Sequence, residues 1–251
     1  MSNGSWCDKL ASIPSAGVRF NHHYIPVHRV LQSWHSILDK NSTDDVAKFT
    51  LAKSDEFSCE INCEDGYKYG FDAIRVHTAF NHRLKVKNIS AGGPVVEMLS
   101  TAQPFTKLLP EVTGRLIDAT LLLPEIDTRK LQRVGITSTT PVSEGDLPPG
   151  VADLIEHIGK PWNGLIAGFT LQFTAKIDEQ QFWTDRCIHT LARPEVGDDL
   201  MTIVFDFQRI FNDPRRTDRA TLADAVGQTE KDAMKYFEAL AEGTMFNVAD
   251  A

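Results

Sequence analysis

Alternating apolar and polar residues in the last third of the chain are the feature that most constrains its fold. In "LIAGFTLQFTAKI" every second residue from Leu165 to Ile177 is apolar, and "QFWTDRCIHTLA" and "LMTIVFDFQRIF" continue with the same period. Because side chains alternate between the two faces of a strand, this period indicates strands that bury one face. Polar loops separate the three segments, which predicts a three-strand antiparallel meander.

A second group of strands is predicted upstream, in "VAKFTLA", "EFSCEINC", "YKYGFDAIRVHTAF" and "RLKVKNI". A three-residue turn after Cys63 aligns Ile61 with Tyr69 and Cys59 with Phe71, so that the apolar residues share one face. These segments are therefore expected to form consecutive hairpins.

The basic residues of "AIRVHTAFNHRLKVKN" point to a binding surface. We predict that residues 67–80 form one strand with a bulge near Asp72, and that this strand pairs with 83–89 so that Thr78 opposes Val86. The reverse face of that hairpin then presents Arg75, His77, Lys85 and Lys87, with Arg83 at its edge. Like charges facing each other across strands cost stability, so such a patch favours binding of an anionic partner. A solvated face that discourages edge pairing is the alternative interpretation.

Amphipathic helices are predicted between and after these strands. Their apolar spacing places them at residues 28–40, 110–123, 151–159 and 219–242. Hairpins with helices between the groups and at the ends predict an α+β fold with a largely antiparallel sheet. We expect a single domain over 1–251, with a soft subdivision near 143–150 in the loop "EGDLPPG".

Composition restricts the classes of function. The chain of 251 residues has a formal net charge of −8, which disfavours an extended nucleic-acid surface. No apolar run reaches the roughly 20 residues that span a bilayer, and "MSNGSWCDKL" lacks the start of a signal peptide, so we expect a cytosolic protein without a membrane partner. Four scattered cysteines favour reduced thiols over a disulfide framework.

The histidines of "FNHHYIPVHRVLQSWHSILDK" raise the question of a metal site. On a helix starting near His28, the residues His28, His35 and Asp39 share the polar side. His28 and His35 are about 10.5 Å apart along such a helix, too far to share one zinc ion. A solvated helix face is therefore favoured, and a metal-dependent hydrolase using His22, His28, His35 and Asp39 remains the alternative.

Catalytic patterns are weak elsewhere. Asp185, Cys187 and His189 lie on one side of a predicted strand, but neighbours two residues apart are about 6.5 Å from each other, beyond hydrogen-bond reach. The chain contains no GxxxxGK[ST], GxGxxG, GxSxG or HExxH pattern. We therefore predict no catalytic residue and no cofactor, and favour a non-enzymatic protein. A small-ligand pocket near Phe169 and Trp183 is a further alternative.

The segment "RVGI", residues 133–136, and the order of elements across most of the chain resemble a sporadically distributed, functionally uncharacterised bacterial protein family of similar length. The resemblance implies an α+β chain without an assigned active site. A patchy distribution would suit an accessory component of a bacterial assembly, such as an antiviral defence module. The predicted function is therefore a non-catalytic accessory subunit that contacts a protein partner or nucleic acid through the basic hairpin face.

Overall fold

A nine-stranded antiparallel sheet organises the chain in the computed structural model. The model describes residues 6–9, 12–21, 25–40, 49–82, 84–89, 93–98, 103–159, 168–193 and 200–244; for 36–40, 49, 84–89, 93–98, 144 and 158–159 it describes the backbone alone. The strands are β1 (Ile13–Asn21), β2 (Phe49–Ser54), β3 (Ser58–Cys63), β4 (Tyr67–Asp72), β5 (Arg75–Phe80), β6 (Leu84–Ile89), β7 (Gly93–Met98), β8 (Lys130–Ser143), β9 (Phe169–Glu179), β10 (Trp183–Arg193) and β11 (Leu200–Arg216). Strands β6 and β7 form a separate two-stranded ribbon.

Helices cover one face of the large sheet. They are α1 (Trp6–Lys9), α2 (Val27–Lys40), α3 (Phe105–Leu121), α4 (Pro149–Gly159) and α5 (Arg219–Ala241). The helix α3 packs over β1 and β5, while α5 packs over β8 and β11. Leu116 of α3 and Phe237 of α5 belong to one continuous buried core, and Thr113 of α3 also donates a hydrogen bond to Glu230 of α5 at 2.7 Å. The opposite face of the sheet is called the open face below.

The strand order is symmetrical about the centre of the sheet. It runs β2-β3-β4-β5-β1-β8-β11-β10-β9, so the first strand of each half of the chain lies at the middle, and the last strand that this half contributes to the large sheet lies beside it. Each half consists of a strand, a helix, a series of antiparallel strands and a second helix. The antiparallel pair β1 and β8 therefore joins the two halves into one sheet.

Burial alternates along β1 and along β8 from Arg133 onward. In β1, Ala16 and Val18 are buried against the helices, whereas Gly17 and Arg19 lie on the open face and are only half-buried. The same alternation continues in β8, where Val134 is buried. A shift of one residue would bring the polar set into the core, so the apolar residues fix which side chains reach the open face.

The predicted α+β fold and the closing meander are confirmed, as β9, β10 and β11 pair in sequence. The turn after Cys63 is also confirmed, because Ile61 pairs with Tyr69 and Cys59 with Phe71. The fourth predicted helix, α5, ends one residue before the expected boundary, and Gly243 just beyond its C-cap has a φ of 74°. Glycine accommodates this left-handed conformation without strain.

The single bent strand predicted at 67–80 is wrong. Residues 67–80 fold back at Ala73 and Ile74 into a tight hairpin in which Asp72 pairs with Arg75. The alternation of apolar and polar residues changes phase near Asp72, which suggested a bulge. This change of phase marks a turn. Likewise, α3 begins at Phe105 and contains Pro110, because the apolar residues before the proline extend the buried face.

The predicted hairpin between β5 and β6 is wrong as well. Strand β5 pairs with β4 on one side and β1 on the other, and β6 pairs with β7. Thr78 therefore lies opposite Tyr69 and Ala16, and Val86 lies opposite Val96. The alternation of apolar and polar residues identified the buried face of β5 correctly. It does not identify the neighbouring strand, because several strands have the same alternation.

A buried ion-pair network joins the end of the meander to α5. The Arg209 guanidinium donates to Asp185 at 2.8 and 2.6 Å and to Asp232 on α5 at 2.8 Å. The Arg209 side chain is only 4% exposed, so both carboxylates compensate a charge that has little contact with water. None of the described helices is long and apolar enough to cross a membrane.

Replacing Asp185 with alanine should destabilise the fold by about 3 kcal/mol, because removal of one partner leaves a buried charge poorly compensated. Urea denaturation measures this loss. The control is Asp118→Ala, which removes an exposed ion pair with Arg219 and should cost less than about 1 kcal/mol. Equal losses in the two variants would contradict a stabilising role for the buried network.

Candidate anion-binding pocket

Three arginines lie in direct cross-strand register at the centre of the open face. Arg75 on β5 pairs with Arg19 on β1, and Arg19 pairs with Arg133 on β8. Neighbouring strands are about 4.8 Å apart, so three cationic side chains start within about 10 Å of one another. We call these residues the arginine row. Like charges directly opposite each other are unfavourable in a sheet, and here the arrangement occurs twice in succession.

A cavity of about 230 Å³ opens beside the arginine row. It is called the central pocket below. Gly17 and Gly135, which pair with each other, form its floor. Strand β5 contributes His77 to one wall, and β11 contributes Asp206 and Gln208 to the other. Residues from both halves of the chain therefore surround this cavity.

The glycines make room for the pocket. A Cβ on Gly135 would lie 3.6 Å from Asp206 Oδ1, which is ordinary van der Waals contact within the cavity. A Cβ on Gly17 would meet the His77 Cβ at 3.4 Å. On the far side of β5, a Cβ on Gly70 would collide with the His77 ring, which therefore lies across that glycine. Small residues at these positions leave the backbone accessible between charged walls.

Gln208 connects two arginines to the acidic wall. Its Oε1 accepts hydrogen bonds from Arg133 at 3.0 Å and from Arg186 on β10 at 3.0 and 2.9 Å. Its amide nitrogen donates to Asp206 Oδ2 at 2.5 Å. Thr137 approaches the other carboxylate oxygen at 3.5 Å. The neutral amide thus separates the two guanidinium groups from the one carboxylate within the pocket.

The arginines of the pocket are incompletely neutralised. Arg75 forms an ion pair with Asp72, and its side chain is 53% exposed. For Arg19, Arg133 and Arg186 the described part of the chain provides no carboxylate within ion-pair distance. The Arg19 Nε is buried without a hydrogen-bond partner among the described residues. An unsatisfied buried donor is costly unless a ligand or water satisfies it.

Burial alters the protonation of the groups in the pocket. Burial lowers the pKa of the Arg133 guanidinium. The negative charge of Asp206 raises this pKa, whereas repulsion from Arg19, Arg186 and Arg75 lowers it. Burial raises the pKa of the Asp206 carboxyl above its ordinary value. Burial also lowers the pKa of His77, so that its imidazole is neutral at pH 7. These shifts follow from charges held close together with limited access to water.

The structure divides the predicted basic patch. Arg75 and His77 lie on the open face beside the central pocket, on the side that parity predicted. The side chains of Lys85, Lys87 and Arg83 lie outside the described residues. The strand that holds Lys85 and Lys87, β6, pairs with β7 and not with β5, so the hairpin that was predicted to bring these lysines next to Arg75 is not formed. Their proposed part in binding stays a prediction.

The alternative metal site is only partly described. His28 and His35 are both exposed on α2. His22 and the side chain of Asp39 lie outside the described residues. Within the described part of the chain, no three His, Cys, Asp or Glu side chains form a group that could hold a metal ion.

Asp185, Cys187 and His189 are buried on the helix side of β10 and serve the core. Asp185 binds Arg209, and His189 Nε2 lies 2.9 Å from the Tyr236 hydroxyl. The His189 ring stacks on Phe173, and burial lowers its pKa to about 4. Burial also raises the pKa of the Cys187 thiol, which disfavours the thiolate. These contacts are typical of core packing and not of a nucleophile with its base.

Sequence reasoning missed five residues of the pocket region: Arg19, Arg133, Arg186, Asp206 and Gln208. Arg133 was noted only for its place in "RVGI". A signal was present, because "GVR" and "RVG" each hold a glycine two residues from an arginine on one strand face. Only the pairing of β1 with β8 shows that the two segments are neighbours.

Replacing Arg19 with methionine should stabilise the unliganded protein by about 0.5 kcal/mol, since it removes the central charge of three and the unsatisfied Nε while keeping a side chain of similar length. Urea denaturation at low salt measures the change. In the control, Arg219→Met, an exposed ion pair is lost instead, so a neutral or slightly negative effect is expected. If Arg19→Met were the more destabilising variant, the arginine row would stabilise the fold, and its charges would not repel one another as proposed.

Comparison with known proteins gives no relative from which a function could be transferred. No protein-family model matches the chain, and neither a curated protein nor a solved structure shows significant similarity to it. The function of the central pocket therefore has to be inferred from its own geometry and chemistry.

Proposed function

We propose that the protein is a non-catalytic binding subunit that holds an anionic group of a protein partner in the central pocket. The arginine row is the observation that supports this proposal. Its three guanidinium groups lie in adjacent cross-strand positions, and Arg19 retains a buried donor without a partner in the described chain. A bound anion would relieve the repulsion and satisfy that donor. Guanidinium groups also bind carboxylates and phosphates through paired, charge-assisted hydrogen bonds.

A protein partner is favoured over nucleic acid by the composition of the open face. The six central strands, from β4 to β10 in the sheet order, present no aromatic side chain there apart from the His77 imidazole. Proteins that bind single strands on a sheet usually stack bases on aromatic rings. Duplex binding requires many phosphate contacts, and the acidic side chains of Asp72 and Asp206 interrupt this surface.

The wider setting of this subunit is part of the same proposal. The resemblance to a patchily distributed bacterial family supports an accessory role in a bacterial assembly, such as an antiviral defence module. The four cysteines are unpaired, three of them buried, and this is compatible with the reducing cytosol in which we place the protein. Oligomeric and partner contacts would then form on the open face, where the pocket is accessible.

The proposal is tested with three peptides that differ only at the central residue, which is serine, glutamate or phosphoserine. Fluorescence anisotropy should show that at least one anionic peptide binds about tenfold more tightly than the serine peptide, and that the double variant Arg19→Met/Arg133→Met loses this difference. A higher salt concentration should weaken the binding of that anionic peptide, because salt screens its attraction to the arginines.

The control variant Arg216→Met removes an exposed charge elsewhere on β11 and should leave the preference intact. Equal binding of all three peptides by the unaltered protein would refute the proposal. Tighter binding of single-stranded or duplex DNA than of either anionic peptide, lost in the double variant, would replace the protein partner with nucleic acid.

A further inference from the structure

We propose that Asp206 makes the central pocket selective for a phosphate group that carries a proton, namely inorganic phosphate at neutral pH or a phosphate monoester near or below its second pKa of about 6, over sulfate, phosphate diesters and carboxylates. This inference rests on the proposed function, because it specifies the anion that the pocket holds. It concerns binding alone, and no covalent step is involved.

The position of Asp206 is the first support. Its carboxylate lies in the wall of a cavity whose other charged lining groups are the arginine row. Oδ2 accepts the short hydrogen bond from Gln208, whereas Oδ1 has only the 3.5 Å contact from Thr137. Oδ1 also lies 3.6 Å from the point where a Gly135 Cβ would stand, above the floor of the cavity. One carboxylate oxygen therefore has acceptor capacity left on the side from which an anion would approach.

The groups that face Asp206 come from every strand around it. Strand β8 contributes Arg133 and β10 contributes Arg186, both through the Gln208 amide. Strand β5 contributes Arg75, whose pKa Asp206 helps to raise, and the neutral His77 at the far wall. Strand β1 contributes Arg19. The positive groups attract an anion to the pocket, and the one negative group decides which anions are accepted.

An ionised carboxylate repels an oxyanion unless a proton lies between them. A phosphate group with a P–OH can donate this proton to Asp206 while its remaining oxygens accept hydrogen bonds from the arginines. Sulfate, a phosphate diester and a carboxylate are fully ionised near neutral pH and offer no such donor. Binding of these anions next to Asp206 therefore requires that Asp206 first takes up a proton from the solvent. Unpaired donors and acceptors in a binding site are the usual origin of strong discrimination.

The size of the cavity is consistent with a single tetrahedral anion. Pockets for drug-sized ligands are about 300–1,000 Å³, whereas this cavity is about 230 Å³ and open to solvent. It can enclose one phosphate group and leave the rest of a larger molecule outside. A phosphorylated side chain of a partner would fit this description, as would free phosphate.

Selectivity should depend on pH in a defined direction. Because burial raises the pKa of Asp206, this carboxyl takes up a proton at a higher pH than an exposed aspartate does. Below that pKa the neutral acid can donate to any oxyanion, so sulfate should bind. As the pH rises through it, sulfate affinity should fall, while free phosphate, which retains a proton of its own, should lose less.

The test is a calorimetric titration of the full-length protein with inorganic phosphate and with sulfate at pH 8 and pH 5. We expect phosphate to bind at least about tenfold more tightly than sulfate at pH 8, with the ratio decreasing at pH 5. This comparison uses the unaltered protein and so does not depend on the folding of a variant. Equal affinities at pH 8 would overturn the inference.

Three variants assign the effect to this pocket. Asp206→Asn keeps the size of the side chain and supplies a donor, so the two anions should bind within about twofold of each other at both pH values. Asp127→Asn makes the same charge change at an exposed position and should retain the selectivity. Gly135→Ala places a methyl group on the pocket floor without a close backbone contact, and it should weaken the binding of both anions. Retained selectivity in Asp206→Asn, or unchanged affinity in Gly135→Ala, would refute the assignment.

The outcomes separate this inference from the proposed function. If an anionic peptide binds as proposed but inorganic phosphate and sulfate bind equally well at pH 8, the anion site stands and the selectivity fails. If no anion binds at all, both fail. Free phosphate competing against the phosphoserine peptide distinguishes the two sources: a weak competitor indicates that the phosphate belongs to a partner, and a stronger competitor than the peptide indicates a site for the free ion.

Discussion

The register between β1 and β8 is the constraint on which the rest of the structure depends. Val18 pairs with Val134 and both face the helices, so their neighbours Arg19 and Arg133 must emerge together on the open face. Moving these charges apart would require a shift of the pair, and a shift of one residue would expose the apolar set. The hydrophobic energy of the buried face thus stabilises an electrostatic arrangement that is unfavourable in itself. Burial of several large side chains exceeds the repulsion of a few partly solvated charges.

The central pocket exists because two similar halves meet at this strand pair. The first half contributes Arg19 and Arg75, and the second contributes Arg133 and Asp206. Neither half alone would surround the cavity with both a basic and an acidic wall. The buried network of Arg209 then ties β10 and β11 to α5 behind the pocket. Rigid strands backed by packed helices are suited to holding polar groups at fixed distances.

Local patterns predicted much of the fold, while the partners of the strands could not be derived from them. A period of two identified the meander and placed Arg75 and His77 on the open side of β5, since that depends only on which residues are apolar. The neighbour of β5 depends on contacts distant in sequence. Both β6 and β1 satisfy the parity of β5, and only the structure shows that β1 is its partner. The candidate site was missed for the same reason, because Arg19 and Arg133 are joined by a long-range pairing that no local spacing encodes.

The separation of Asp206 from the arginines is the feature that distinguishes this pocket from a structural ion-pair network. In the Arg209 cluster, carboxylates contact the guanidinium group directly, as expected when buried charges have only to be neutralised. In the central pocket a glutamine occupies the corresponding place, so that Arg133 and Arg186 bind an amide oxygen and Asp206 binds the amide nitrogen. A carboxylate in place of this amide would neutralise both arginines at once. The amide instead keeps basic and acidic groups apart across a cavity, an arrangement that leaves the charges available to a group placed between them.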